Sequence, residues 1–277
     1  MKLFGFTETS TGITFVCTHT ENSAFEIIAT LQDFWANPEE ALVSFDASSS
    51  RKILETDGQN VPLVPPSARV LCIGLNYRAH VEEGSHKEGL DAPYPTIFAR
   101  WTASLVVGGT AVTVPASEDG LDWEGEVAAY VGKSLKNVSA DEARAAVLGY
   151  STFNDLSARN AQYYSTQWVL GKNADNSGPI GPLLTADEVG DLRDGLRLQT
   201  RVNGELVQDG NTADIIYELG EVLSLISHTM TLNPGDVICT GTPSGVGFVR
   251  NPKWLLHEGD VVEVEVEKLG ILTTPIG

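Results

Sequence analysis

Hydrophobic and polar residues alternate over many short stretches of this chain and recur at helical spacing over only a few. Leu3-Phe4-Gly5-Phe6 and Ile13-Thr14-Phe15-Val16 read as short strands, followed by a helical segment over Phe25–Trp35. Arg69-Val70-Leu71-Cys72-Ile73-Gly74 and Glu126-Val127-Ala128-Ala129-Tyr130-Val131-Gly132 are compact apolar runs of the kind that form buried strands. Arg201–Val207 carries Asn203-Gly204, the pair preferred in a type I′ hairpin turn. Val261–Glu267 alternates Val with Glu, which predicts a strand with one dry and one wet face. Ser139-Ala140-Asp141-Glu142 is a capping box that opens a helix toward Leu148. From Asp214 onward, Ile215, Ile216, Leu219, Val222, Leu223 and Ile226 fall at helical spacing.

Many strands with few helices between them predict a strand-rich α+β chain built on a sheet or barrel, not a doubly wound α/β sheet. The Pro-rich stretch Val61–Ser67 restricts the backbone to extended geometry and marks a boundary. It divides a small N-terminal α+β domain, residues 1–66, from a larger domain, residues 67–277.

Composition narrows the function more than the fold. The formal net charge of −19 argues against nucleic acid and anionic membranes as partners. It also obliges any enzyme acting on anions to gather Arg and Lys locally. The opening residues lack the apolar run of a signal peptide, and no stretch reaches the length of a transmembrane helix, so the expected location is cytoplasmic. Cys17, Cys72 and Cys239 are odd in number and far apart, which predicts reduced, buried thiols.

Four segments carry candidate chemistry. Glu124-Gly125-Glu126 puts two carboxylates on one face of a strand, with Cα atoms roughly 6.6 Å apart. Such a pair can converge on a cation or merely line a solvated strand edge, as Glu263 and Glu265 would. Asp155 follows an apolar segment, where it reads either as a helix N-cap or as a third oxygen ligand. An all-oxygen set without Cys or His suits Mg²⁺ or Mn²⁺ better than Zn²⁺. His80 and Glu83, at i and i+3, can form a base with its orienting carboxylate or sit on an exposed polar loop. The polar Gly84–Gly89 segment that follows has the composition of a lid. The Gly-rich Thr240–Gly247 stretch is either a plain turn or a source of backbone N–H groups for an anion.

In their order along the chain, these segments resemble the fumarylacetoacetate hydrolase family, including its acylpyruvase, fumarylpyruvate hydrolase and 2-hydroxyhepta-2,4-diene-1,7-dioate isomerase branches. The resemblance runs from about residue 69 to the C-terminus. It rests on Gly74-Leu75-Asn76-Tyr77 with His80, Leu121–Glu126, Asn154–Arg159, Gln167-Trp168 with Gly171-Lys172, Gly178–Pro182, Val202–Glu205 with Gln208–Thr212, and Pro234–Ile238 leading into Thr240–Gly247. It implies a mixed β-sandwich or β-roll catalytic domain, usually dimeric. It further implies Glu124, Glu126 and Asp155 as ligands of Mg²⁺ or Mn²⁺, Lys172 beside the ion, and His80 with Glu83 as the catalytic pair. Arg159, Gln162 and Thr242 match substrate-holding positions. Two departures stand out: Asn160 where an Asp is usual, and Arg100-Trp101 in a stretch that usually carries Lys and Pro.

The reaction implied first is hydrolysis of a C–C bond in an acylpyruvate or related 1,3-diketo acid, as in aromatic catabolism. His80, oriented by Glu83, would deprotonate water, and Lys172 with the ion would stabilise the pyruvate enolate. Oxaloacetate decarboxylation, or isomerisation or hydration of a 2-oxo acid, would use the same site. A catalytically silent metal-binding scaffold is the alternative of another class.

Overall fold

The computed structural model describes residues 1–20, 24–83 and 93–277. Among these, two sheets carry the architecture: a large mixed sheet of 13 strands and a smaller antiparallel one of 4. The central strand of the large sheet is Gly125–Val131, buried at every position. Its two faces meet different cores, which is why its sequence is continuously apolar rather than alternating. Val127, Ala129 and Val131 join Leu198, Val202, Val262, Val264 and Val266 of the small sheet. Ala128 and Tyr130 join Cys72, Cys239, Phe34 and Trp35 on the other side. The result is the strand-rich α+β chain expected from the pattern, with the sandwich that the resemblance implies.

Neighbours of this central strand place the chemistry. Val147–Asn154 pairs with it antiparallel and sets Phe153 opposite Glu126 and Asn154 opposite Gly125. Val237–Cys239 flanks it on the other side and pairs in parallel with Val70–Gly74, so that Cys239 lies opposite Cys72. All three cysteines are free and buried, as expected. The N-terminal block extends the same sheet, because Lys2–Glu8 hydrogen-bonds to Leu183–Thr185.

Several local expectations hold for stated physical reasons. Asn203 and Gly204 both have positive φ (50° and 83°), the requirement of the type I′ turn joining Arg197–Val202 to Glu205–Asn211. In Val261–Val266 the buried positions are Val262, Val264 and Val266. The Ser139–Glu142 capping box forms reciprocally and opens the helix Ala140–Ala145, which stops short of Leu148.

Two expectations are corrected, and one of the two open readings of Asp155 drops out. Phe25–Trp35 is not one helix: Ala24–Thr30 is a strand between Thr14–His19 and Lys52–Leu54, and the helix covers only Leu31–Ala36. Thr30 divides them, its Oγ1 accepting from the Asp33 N–H at 3.1 Å as an N-cap. The helix expected from Asp214 begins at Leu219 and ends at Ser227. Ile215 is instead held by a bridge to Tyr77. Asp155 caps no helix; the next one, Arg159–Gln162, has Ala158 at its N-cap. The proposed lid, Gly84–Gly89, lies outside the described residues.

Gly125 shows how tightly the two sheets are pressed together beneath the carboxylates. A Cβ there would stand 2.4 Å from Thr200 Oγ1 and 3.0 Å from Val264 Cγ1. Gly125→Ala is therefore expected to lower stability by about 1–3 kcal/mol through overpacking, read as a lower urea midpoint. A midpoint equal to wild type would show that the sheets have room to part.

Candidate metal centre and active site

Backbone pairing brings the acidic residues together before any side-chain effect. Asp155 N donates to Glu124 O at 2.9 Å, while Asp122 and Ser157 exchange hydrogen bonds at 2.9 and 3.0 Å. The end of Val147–Asn154 is thereby stitched to the start of Gly125–Val131. One carboxylate oxygen each from Glu124, Glu126 and Asp155 lies within 4.8 Å of the others, all three residues being buried. Among the described residues this is the one such group.

Three cations answer these charges. Lys172 Nζ donates to Glu124 Oε2 at 2.6 Å and to Asp155 Oδ2 at 2.7 Å. Arg159 Nη2 reaches Glu124 Oε1 at 2.7 Å. Arg100 Nε donates to Asp155 Oδ1 in a short contact. Burial disfavours the charge on Lys172, yet Asp155 and Glu124 outweigh it and hold its pKa above the ordinary lysine value. Burial likewise raises Glu124, but Lys172 and Arg159 overcome it, and its carboxyl lies well below the usual range.

Glu126 differs. It has no ion pair among the described residues, and its one hydrogen bond comes from Gly241 N at 2.9 Å. Burial, then the charges of Asp155 and Glu124, push its proton affinity well above the normal carboxylate value. A buried carboxylate so placed favours a nearby cation strongly. The donor set is all oxygen, with no thiolate or imidazole, and so fits a hard divalent ion of the Mg²⁺ or Mn²⁺ kind.

A cavity of about 110 Å³ opens onto this cluster. His80, Glu124, Glu126, Arg159, Gln162, Lys172 and Thr242 all line it; Asp155 stands behind. Its remaining wall is apolar, with Phe98, Tyr163, Trp168 and Phe248. His80 lies on the short helix Arg78–Glu83, and its Nδ1 is 2.8 Å from Glu83 Oε1. An ionised carboxylate only accepts, so in the neutral imidazole this contact puts the proton on Nδ1 and leaves the lone pair on Nε2. Glu83 Oε2 in turn accepts from Gly245 N at 2.8 Å.

The residues expected to hold substrate are partly occupied by the protein. Arg159 donates from Nε and Nη2 to Asp122 Oδ2 at 2.9 and 2.7 Å, and from Nη1 to Gln162 Oε1 at 2.9 Å. With Glu124, that accounts for four of its five N–H groups and leaves one on Nη1. Thr242 donates its hydroxyl proton to Gly125 O at 2.9 Å. Asn160, expected near the charges, is exposed and bound to Glu118 and Ser117 instead.

Two residues that the sequence reading passed over organise this site. Asp122 accepts from Trp123 N, Gly247 N and Phe248 N at 2.9, 2.7 and 3.1 Å, besides both bonds from Arg159. Its signal was available, since Asp122, Glu124 and Glu126 repeat at period two. Gln208 uses its whole amide: Oε1 accepts from Gly125 N and Thr200 Oγ1, while Nε2 donates to Thr242 Oγ1 and Pro243 O. Nothing in its local sequence announces that.

Comparison with known proteins agrees with this geometry. Residues 69–277 match the family model described as Fumarylacetoacetate (FAA) hydrolase C-terminal. The oxaloacetate tautomerase YisK of Bacillus subtilis is 37% identical over 249 residues, covering 88% of this chain and 79% of that protein. A mitochondrial oxaloacetate tautomerase of Homo sapiens is 38% identical over 219 residues, covering 78% and 68% respectively. The crystal structure of fumarylpyruvate hydrolase from Pseudomonas aeruginosa in complex with Mn²⁺ and pyruvate superposes with a TM-score of 0.68 at 30% identity, over 79% of this chain and 91% of that one.

The hub at Asp122 generates a stability prediction. Removing one partner of a buried, hydrogen-bonded ion pair costs about 3–5 kcal/mol. Asp122→Ala is expected near the lower end, because Arg159 keeps Glu124. An unfolding free energy within error of wild type would remove Asp122 from this role.

Proposed function

The chain belongs to the fumarylacetoacetate hydrolase family, and from that premise we propose a divalent-cation-dependent enzyme that interconverts the keto and enol forms of a small 2-oxo acid such as oxaloacetate. The observation that carries this reading is the shared cavity. One imidazole with a free ring nitrogen, one ammonium and one unpaired carboxylate face the same roughly 110 Å³ space. Pockets for drug-sized ligands measure about 300–1,000 Å³, so this smaller volume favours a compact acid over an extended one.

Keto–enol interconversion moves a proton between the 2-oxygen and C3 of the substrate. His80 Nε2 is the group placed to carry it, with Glu83 holding the ring and balancing the imidazolium while it exists. Lys172 uses two of its three N–H groups on Glu124 and Asp155, and the third is left for an oxygen that gains charge. The free Nη1 proton of Arg159 and the amide of Gln162 orient a substrate carboxylate. Glu124, Glu126 and Asp155 would hold Mg²⁺ or Mn²⁺, which when bound supplies electrostatic stabilisation of negative charge on substrate oxygens. Phe98, Trp168 and Phe248 restrict water on the remaining wall.

A second reading, hydrolysis of a C–C bond in an acylpyruvate, is favoured by the His80–Glu83 pair. A positioned imidazole with its carboxylate is equally the arrangement that deprotonates an attacking water. Decarboxylation of oxaloacetate would need neither residue as a base.

Two measurements test these proposals. Excess Mn²⁺ or Mg²⁺ should raise the melting temperature of the wild type by mass action, and Asp155→Ala should abolish the rise. Identical responses in both proteins would sink the three-carboxylate site. With the cation present, His80→Ala should slow enol-to-keto conversion of oxaloacetate by about 10²–10⁴-fold, the usual contribution of a positioned base. Glu83→Gln should slow it less. Acylpyruvate cleavage without tautomerisation would select the second reading, and full activity in His80→Ala would remove the imidazole from either.

A further inference from the structure

Arg100 ends the edge strand Thr96–Arg100 and is buried, with its side chain fully enclosed. It does not line the cavity, so the groups it meets are the protein's own. Nε donates to Asp155 Oδ1; Nη2 donates to Leu156 O at 2.7 Å; Nη1 donates to Ser104 Oγ at 3.2 Å and to Ser177 Oγ at 3.0 Å. The Phe153 ring lies 5.8 Å from Cζ. Space for the guanidinium depends on Gly178, where a Cβ would stand 3.2 Å from Nη1 and 2.9 Å from Leu105 Cδ2.

These contacts divide the two oxygens of Asp155. Oδ1 belongs to Arg100, whereas Oδ2 receives Lys172, the same ammonium that holds Glu124 Oε2. The last torsion of an aspartate is broad, so the carboxylate plane needs an external anchor. We infer that Arg100 is a positioning residue for the cation site: by holding Oδ1 it makes Asp155 a one-oxygen ligand whose Oδ2 faces Glu124 and Glu126. This rests on the reading of those three carboxylates as the cation site.

The inference makes a claim about sign. Considered only as a charge, Arg100 repels an incoming divalent ion, and its removal would tighten binding. As an anchor, its removal loosens Asp155 and weakens binding. Partners that orient metal ligands typically change affinity by about 10–100-fold, and the structure favours the second outcome because four protein acceptors fix the guanidinium in place. Lysine keeps the charge but lacks the planar fork, so it restores only part of the effect.

The test is calorimetric titration of the full chain with Mn²⁺, accompanied by the electron paramagnetic resonance spectrum of the bound ion. Arg100→Met should weaken Mn²⁺ by about 10–100-fold and alter the zero-field splitting. Arg100→Lys should recover part of both. The Ser104→Ala/Ser177→Ala double variant, which frees Nη1 while keeping the ion pair, should weaken binding by a smaller factor. A folded Arg100→Met protein that binds Mn²⁺ as tightly as wild type, or more tightly, overturns the inference. Should Arg100→Met not fold, unchanged affinity in the double serine variant overturns it instead. If wild type binds, Asp155→Ala does not, and Arg100→Met matches wild type, this inference fails and the cation site stands. If wild type takes up no Mn²⁺, the cation site falls and the inference with it.

Discussion

Four carboxyl groups are buried together in this protein, and the rest of the site follows from what it takes to hold them there. Asp122, Glu124, Glu126 and Asp155 sit within one network from which water is largely excluded. A lone buried carboxylate is expensive and takes up a proton unless it is paired or hydrogen-bonded. The network answers with Arg100, Arg159 and Lys172, three cations for four carboxyl groups, which leaves Glu126 without a cation and raises its proton affinity. Replacing such groups with apolar residues would often cost no stability. Retaining them is therefore an argument for function more than for folding.

The same requirement explains the backbone around the site. The Gly-rich stretch offers N–H groups to anions, as its composition suggested, but the anions are the protein's own. Gly241 serves Glu126, Gly245 serves Glu83, and Gly247 with Phe248 serves Asp122. Gly241 and Gly245 have positive φ, 94° and 105°, a conformation that side-chain-bearing residues rarely adopt. Gly171 does comparable work for the lysine. A Cβ there would lie 2.4 Å from Gln162 Cβ, so its absence lets the turn carrying Lys172 lie against the one carrying Gln162. One loop and one short helix thus become parts of a charge network that no single segment could sustain.

What could be read from the sequence follows from how local each cause is. The Val–Glu alternation of Val261–Val266 and the Asn203-Gly204 turn are decided within a few residues, and both are found where expected. The carboxylate cluster was legible through the resemblance, which implied its role, whereas period-two spacing alone left a solvated strand edge open. Phe25–Thr30 was misread because a short apolar run does not distinguish strand from helix; pairing on both sides decided it. Asp155 resembled a helix cap because the strand register that sets it beside Glu124 is non-local. Gln208 was illegible as a site element for the same reason, and Arg100 stood out only as a departure, their partners lying 83 and 55 residues away. Conversely, Asn160, where an Asp is usual, lies outside the network, exposed and bound to Glu118.

The acidic surface and the buried cations now fit one account. A chain of net charge −19 repels small anionic acids, and the Arg and Lys needed to reverse that are present at the cavity. They are already committed to internal carboxylates, so they present few free N–H groups and almost no net positive charge. On the proposed reading, a divalent ion beside Glu126 takes the place of the proton that burial favours there, and the buried network gains positive charge. Attraction of an anionic substrate then depends on the ion even before any bond is made or broken, because ion and substrate complete the same electrostatic sum. The anchoring of Asp155, the unpaired state of Glu126 and the partial release of Arg159 toward the cavity are parts of that one arrangement.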